Sequence, residues 1–318
     1  MENALISVIM ITYGHEKFIQ EAINGVLMQE CSFGIELIIA NDCSPDNTAE
    51  VIRNIVKKHP RGSWIKYIEH EKNIGMMPNF VFALNKAKGK YIAMCDGDDY
   101  WTDPYKLQKQ VDFLEKNKEY GLVHHEADFF FQKSEKTVKN HHQTNKIFPS
   151  TGFVFEELLY NNNIYTPTVM FKSSLLKHFM GIDENVRNKF FMGDYVMWLE
   201  FSQHCKFYYI PVSMVTYRVL ESSASKSTSY EKDLSFLNSY YDIKLFFMNR
   251  FNPENFTIKI IEQGRLTGSL SNAIKYKKNK EARYFASKIQ IDNLKILLKR
   301  IIVFVPFLFR YILKRKML

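Results

Sequence analysis

Four times in the first hundred residues, a short apolar run gives way to a stretch whose apolar positions recur every three or four residues. Residues 5–12 (LISVIMIT), 36–40 (ELIIA), 64–69 and 91–95 read as strands. The runs are short, nearly continuous and rich in β-branched side chains, as expected where both faces of a parallel sheet are covered. Between them, residues 16–29 carry Phe18, Ile19, Ala22, Ile23, Val26 and Leu27 at helical spacing. Residues 49–59 and 78–88 repeat the pattern, the latter with Pro78 near its start and Gly89 just past its end. This alternation predicts a doubly wound, mostly parallel α/β sheet with helices on both faces, whose ligands bind at the carboxyl ends of the strands.

Beyond residue 104 the pattern is less regular. A helix over 105–118 is followed by an expected strand over 120–131 and a polar stretch, 135–150, read as a mobile loop. Strands are expected over 166–171, 207–210 and 212–218, with a helix over 195–205. Residues 222–229 read as a Ser-rich flexible loop, and the pattern from 230 onward is helical. The expected division is a domain over 1–228, with a nucleotide-binding half (1–104) and an acceptor half (105–228), then a helical region over 229–318.

Polar residues cluster where strands end: Thr12 and Tyr13, then Asp42, then Asp96-Gly97-Asp98-Asp99. Three carboxylates in four positions repel one another, and a hard divalent cation such as Mg2+ or Mn2+ relieves that repulsion. Magnesium favours one or two carboxylates plus phosphate oxygens, which points to a metal-bound diphosphate. Taken alone, the motif is equally a solvated turn ahead of a helix.

Composition narrows the choice. The 318 residues suffice for a full core or two, and carry a net charge of +9. Residues 275–318 hold 13 Lys and Arg against Glu281 and Asp292, a surplus of 11 that leaves the other 274 residues at −2. The basicity belongs to a tail, so no nucleic-acid partner is expected. The four cysteines are scattered, with no Cys-x-x-Cys pair. They fit a reducing compartment and argue against a zinc site or a disulfide framework. The amino terminus runs straight into a strand with no basic leader, so no secretory signal is expected.

The pieces SVIMITY (7–13), NDCSPDNT (41–48), NIG (73–75), GKYIA (89–93) and DGDDYW (96–101) stand in order. They are followed by Lys106-Leu107, by Gly193-Asp194 with Trp198, and by YRV (217–219) with serines at 222, 223 and 225. This series resembles the family-2 glycosyltransferases, which have the GT-A fold, over about residues 4–228. The resemblance implies that Thr12, Tyr13, Glu16, Asp42, Asn73, Asn79, Asp96 and Gly97 line the nucleotide site, with Asp42 accepting from the base. It implies Asp98 or Asp99 as the ligand of Mn2+ or Mg2+, and Asp194 as the base of an inverting transfer. The implied donor is a nucleotide sugar, UDP-linked, and the acceptor a glycan or lipid-linked glycan of a bacterial surface polysaccharide. Many relatives carry a His after the Tyr-Arg-Val segment; here Leu220 and Glu221 stand there.

Physical chemistry agrees with these roles. Inverting transfer needs one base for the acceptor hydroxyl and charge stabilisation for the departing diphosphate. Asp194 at a helix start is expected to be kept ionised by the helix dipole; its plainer reading is an N-cap. Trp198 is expected in the core, and Trp101 either flanks the sugar or packs. Two other readings stand beside the enzyme: a non-catalytic GT-A module that binds nucleotide or glycan, and a nucleotidyltransferase, whose Gly-rich phosphate loop is not found after the first strand.

The last stretch, 289–318, alternates Leu and Ile with Lys and Arg. Its apolar segment, 301–313, contains one charge, Arg310, and is shorter than the roughly 20 residues that cross a bilayer. It suits a helix lying on an anionic membrane surface, which would make the protein cytoplasmic and peripheral on the inner face of the membrane. The alternative is a C-terminal helix packed on the body with its basic face solvated.

Overall fold

A computed structural model describes residues 6–221, 229–290 and 294–304. The chain falls into two compact units, Met1–Leu220 and Glu221–Leu318. The serines at 222, 223 and 225, the Ser-rich stretch to 228 and the tail beyond 304 lie outside the described residues.

The first unit opens with β1 (Ile6–Thr12), α1 (Ile19–Leu27), β2 (Ile35–Asn41), α2 (Thr48–Lys58), β3 (Ile65–Glu69), α3 (Met76–Lys86) and β4 (Tyr91–Met94). These are the strands and helices that the periodicity predicts: α1 is shorter than its pattern at both ends, and α2 and α3 begin one and two residues earlier than expected. Every residue of β2 and β4 is buried, as expected for strands covered on both faces. Next come β5 (Tyr100–Trp101), α4 (Lys106–Lys116), β6 (Tyr120–His125), β7 (Asp128–Phe131), β8 (Lys136–Val138), α5 (His141–Thr144), α6 (Phe155–Tyr160) and β9 (Met170–Lys172). The unit ends with α7 (Leu176–Met180), α8 (Glu184–Arg187), α9 (Gly193–Phe201), β10 (Lys206–Ile210) and β11 (Val215–Val219).

Among the described residues, seven strands form one sheet in the order β10-β6-β9-β4-β1-β2-β3, and four form a second in the order β5-β11-β7-β8. In the large sheet only β9 runs antiparallel, wedged between β4 and β6. This is the GT-A-like architecture. Its core packs one face of β1, β2 and β4 against α1, α2 and α4, with Ile23, Val26, Leu37, Ala93 and Leu107 all buried, while α3 lies against β1 and β2.

Three expectations beyond residue 104 change. The strand expected over 120–131 is two strands in different sheets. The break falls at Glu126, a buried carboxylate that accepts the amides of Ala127 (2.8 Å), His142 (3.0 Å) and Gln143 (3.0 Å). Burial raises its pKa, but the bonds from His142, Gln143 and Ala127 outweigh that and hold it down at about 2. The same three bonds order the stretch expected to be a mobile loop: it contains β8 and α5, and His142 is bonded to the Asn163 carbonyl (2.9 Å). The strand expected over 166–171 is a 3-10 turn, Thr166–Thr168, then β9.

The second unit is helical: α10 (Tyr230–Phe251), α11 (Ile258–Lys275), α12 (Asn279–Lys288) and α13 (Leu294–Phe304). Leu270, Ala273, Ile274, Ala282, Ala286 and Ile289 form its core, and α13 adds Ile296 and Val303. Each such buried leucine, isoleucine or valine contributes about 1.5–3 kcal/mol. Leu298, Ile301 and Phe304 of the same helix remain 49%, 41% and 47% exposed. No helix among the described residues is long and apolar enough to cross a membrane.

Candidate active site

The carboxyl ends of β1, β2 and β4 meet at one edge of the large sheet. The carbonyl of Thr12, last residue of β1, accepts the amide of Asp42, just past β2, at 3.0 Å. Asp42 is buried, and its two oxygens accept the amides of Ile74 (2.7 Å) and Gly75 (2.9 Å). Its carboxylate therefore holds the 73–75 loop in place, so Asp42 shapes the pocket wall where a nucleobase contact was expected. Asn73 is exposed, its Oδ1 accepting from Gly75 (3.1 Å). Glu16 accepts the amide of Asn47 (3.0 Å) while its own amide donates to Asp46 (3.0 Å), stitching the turn after β1 to the 41–48 loop. Tyr13 is left 49% exposed beside them. Asn79 is a correction: it is buried, donates to the Ala40 carbonyl (3.0 Å) and is bonded to His70 (2.9 Å), a tie between α3 and β2 that is closed to a ligand.

Past β4 the chain stays alongside β1. Cys95 donates to the Ile9 carbonyl (3.0 Å) and Gly97 to that of Ile11 (3.1 Å), and Asp99 closes the turn onto the Asp96 carbonyl (3.1 Å). A Cβ on Gly97 would sit 2.7 Å from Thr12 Oγ1 and 2.8 Å from His15 Nδ1. Only glycine lets the acidic turn press this closely on the end of β1.

Arg218 on β11 clamps the turn from the other side. Its amide donates to Asp99 Oδ1 (2.7 Å), its Nε to the Asp98 carbonyl (2.8 Å), and its Nη1 to Gln132 (2.7 Å), while Nη2 pairs with Glu21. The guanidinium also lies 4.8 Å from the Phe18 ring centroid and 5.2 Å from that of Tyr100. Asp99 is thus buried and held. Among the described residues, no group hydrogen-bonds the carboxylate of Asp98, which is partly open to solvent.

Asp194 stands on the first turn of α9. The N-cap is Met192, so Asp194 is not a cap. A Cβ on Gly193 would meet Phe80 at 2.9 Å and Met77 at 3.0 Å, so the helix start lies close on α3. Thr166 Oγ1 donates to Asp194 Oδ2 (2.7 Å) and the Tyr195 amide to Oδ1 (2.7 Å). The expectation of a dipole-lowered pKa is corrected here: burial pushes the Asp194 carboxyl up, and the bonds from Thr166 and Tyr195 only partly offset it.

The four carboxylates share one neighbourhood. Burial first, then Asp98 and Asp194, push Asp96 well above the ordinary aspartate range, although part of its side chain reaches solvent. Asp99 is raised by burial and then by Asp98. The phenol of Tyr217, stacked on Phe129 at 4.9 Å, is raised by burial and then by Asp99, Asp98, Asp96 and Asp194 in turn. All four aspartates therefore lie within electrostatic reach of one hydroxyl. Buried like charges this close form a donor set of hard oxygens that fits a divalent cation.

Tyr217, Arg218 and Thr166 are the residues that sequence reasoning passed over. The first two stand in the Tyr-Arg-Val piece, whose only signal was its presence; Thr166 gave none. Trp101 packs: it is buried, donates to the Pro167 carbonyl (3.1 Å) and carries the Lys106 ammonium 4.0 Å over its ring. Trp198 is in the core, as expected, and His124 is buried, its pKa lowered to about 3 by that burial.

A GT-A-like sheet with an acidic turn at the end of its fourth strand defines a class, and the family follows from comparison. The model of glycosyl transferase family 2 matches residues 7–179, more than half of the chain, and the chain belongs to that family. An uncharacterised protein of Mycobacterium bovis is 38% identical over 130 residues, 41% of this chain, a stretch spanning 37% of that protein's length. An uncharacterised glycosyltransferase of Methanocaldococcus jannaschii is 27% identical over 252 residues, 79% of this chain and 82% of that protein. Staphylococcus aureus TarS 1–349, solved in complex with UDP-GlcNAc, superposes with a TM-score of 0.55 at 18% identity, covering 93% of this chain and 79% of that one. The mannosyltransferase PcManGT of Pyrobaculum calidifontis, solved with GDP-Man and Mn2+, gives 0.56 at 14% identity, covering 94% and 79%. At these identities the two structures share the fold.

Proposed function

We propose that the chain is an inverting, metal-dependent glycosyltransferase, a hexosyl- or N-acetylhexosaminyltransferase. It moves a sugar from a nucleoside-diphosphate donor, most simply a UDP-sugar, to a hydroxyl of a glycan or lipid-linked glycan in polysaccharide biosynthesis. The observation that carries this reading is the acidic turn Asp96–Asp99, pressed on the end of β1 at Gly97 and clamped by Arg218, with Asp194 held by Thr166. Family membership supports it, as do the UDP-GlcNAc and GDP-Man named for the structural relatives.

In this mechanism Tyr13, Asn73 and the wall held by Asp42 and Glu16 seat the nucleoside, and Thr12, Gly97 and Asp96 line the path to the sugar. Asp98, whose carboxylate has no competing hydrogen bond among the described residues, would be the main ligand of Mn2+ or Mg2+, and Asp99 would offer its second oxygen. When bound, the cation supplies Lewis-acid charge to the diphosphate leaving group. Thr166 holds Asp194 so that its carboxylate takes the proton of the acceptor hydroxyl. That oxygen forms a bond to C1 as the bond from C1 to the diphosphate breaks on the opposite face. The diphosphate departs as an anion, so no protein acid is needed there.

A screen of nucleotide sugars with Mn2+ or Mg2+ tests the reading. One donor should raise Tm and be hydrolysed only when the cation is present, and Asp98→Ala should lose both effects. If no nucleotide sugar does either with either cation, the reading falls.

The exposed apolar side chains of α13, on a helix with Lys295, Lys299 and Arg300, support a second element of the proposal. The C-terminal region rests on an anionic membrane and keeps the enzyme cytoplasmic, peripheral on the inner face. Deleting residues 295–318 should shift the protein from the membrane to the soluble fraction; unchanged membrane recovery would overturn it.

A further inference from the structure

Away from the acidic cleft, a second set of metal-competent side chains gathers at the far end of α9. His178 comes from α7, Glu200 from the last turn of α9, and His204 from the segment just after it. One ligand atom from each lies within 4.8 Å of the other two. The two imidazoles stack with centroids 3.5 Å apart and planes 14° apart, so their in-plane lone pairs run nearly parallel and one ring must swing out of the stack to share an ion with the other. His204 Nε2 is 3.3 Å from Glu200 Oε1. Glu200 is 1% exposed, and a bound cation offsets the cost of placing a carboxylate so deep. No step of glycosyl transfer uses any of the three.

We propose that His178, Glu200 and His204 form a zinc site that braces the helix carrying Asp194. Two imidazole nitrogens and one carboxylate are a zinc-type donor set, softer than the all-oxygen set of the cleft, which suits Mg2+ or Mn2+. Tetrahedral ligands at about 2.0–2.1 Å stand about 3.4 Å apart, so the three atoms, already within 4.8 Å, close onto a metal when one imidazole rotates out of the stack. His204 is partly exposed, so water completes the fourth position. Cys205 takes no part: its thiol donates to the Phe201 carbonyl (3.4 Å), and its sulfur packs on Gly121. Asp194 and Glu200 are six residues apart on one helix, about 9 Å along its axis. Joining α7 to the last turn of α9 therefore restrains the rigid element on which Asp194 is mounted. Cysteine spacing could not reveal such a site, because none of its ligands is a cysteine.

The test uses tag-free, full-length protein stripped with a chelator and titrated with ZnCl2. Zinc should bind at one ion per chain and raise Tm equally in the wild type and in Asp98→Ala, which separates this site from the cleft. It should also slow amide exchange in α7 and α9, and Mg2+ should do neither. Co2+ in the same site should show the visible absorption of tetrahedral nitrogen-oxygen coordination. His178→Ala and His204→Ala, both at partly exposed positions and checked for native circular dichroism, should each lower zinc affinity by more than the roughly 10–100-fold lost with outer ligand partners. Failure of the wild type to retain zinc after desalting, or equal retention by the histidine variants, would overturn the proposal. It would leave the glycosyltransferase reading untouched.

Discussion

The two ends of the large sheet treat buried carboxylates in opposite ways. At the amino-terminal end, Glu36 on β2 receives Ser7 Oγ, the Lys66 ammonium and the Lys88 amide, and Ser7 Oγ also accepts the amides of Lys88 and Gly89. Burial pushes Glu36 up, but the bonds from Lys66, Ser7 and Lys88 outweigh it and leave the group below the usual glutamate range. At the carboxyl-terminal end, burial and then repulsion by neighbouring aspartates raise Asp96 and Asp99, and burial alone raises Asp194, beyond what the donors offered can offset. All are carboxylates; the supply of donors differs. A carboxylate that builds the fold comes with its partners, and one that works on a ligand is left wanting charge.

The sharpest break of this contrast is Asp194→Asn. It keeps the shape and the Thr166 bond while removing the base, so kcat should fall by about 10²–10⁴-fold. Cation-dependent nucleotide binding should survive, as read by thermal shift with the donor. Full activity would remove the base assignment. Glu36→Gln, at the other end, should do the reverse: activity is retained in the folded protein and stability drops by about 1–2 kcal/mol in denaturant unfolding, since Lys66 is half exposed. The sign follows from a lowered pKa. Glu36 contributes stability above the unfolded glutamate value of about 4.3, and that contribution fades as pH falls through its lower folded value. The variant should therefore show a flatter loss of stability in acid.

The buried parallel strands were the most legible part of the fold in sequence. β1, β2 and β4 announce themselves as apolar runs because parallel strands are buried on both faces. β9 was legible in part: the strand expected over 166–171 reaches its first two residues but starts too early, since three residues with antiparallel partners on both sides carry no periodicity of their own. Glu126 reads as one more polar residue in an apolar run until its three amide donors, one of them 17 positions away, are seen. In the cleft, Asp96 to Asp99 and Asp194 stood out through their motifs. What holds them did not: Arg218 reaches Asp99 across 119 positions, and Thr166 meets Asp194 from a turn that looked like a strand. Asn79 was misread because a buried amide serving backbone and a side chain resembles, in sequence, an amide waiting for a ligand.

The smallest effect tests the sign of the comparison. A carboxyl whose folded pKa is raised weakens the fold once pH exceeds its unfolded value of about 3.9, and protonation relieves that cost. Asp96→Asn removes the charge that Asp98 and Asp194 oppose. Without divalent cation or nucleotide at neutral pH, it should therefore raise Tm, by about 2–4 °C for a gain near 1 kcal/mol, where Glu36→Gln lowers it. Mn2+ should raise the wild-type Tm and do less for the variant, because the cation and the substitution relieve the same repulsion. An Asp96→Asn protein less stable than the wild type in cation-free buffer would mean that this carboxylate is as well partnered as Glu36, and that the two ends of the sheet do not differ in the way argued.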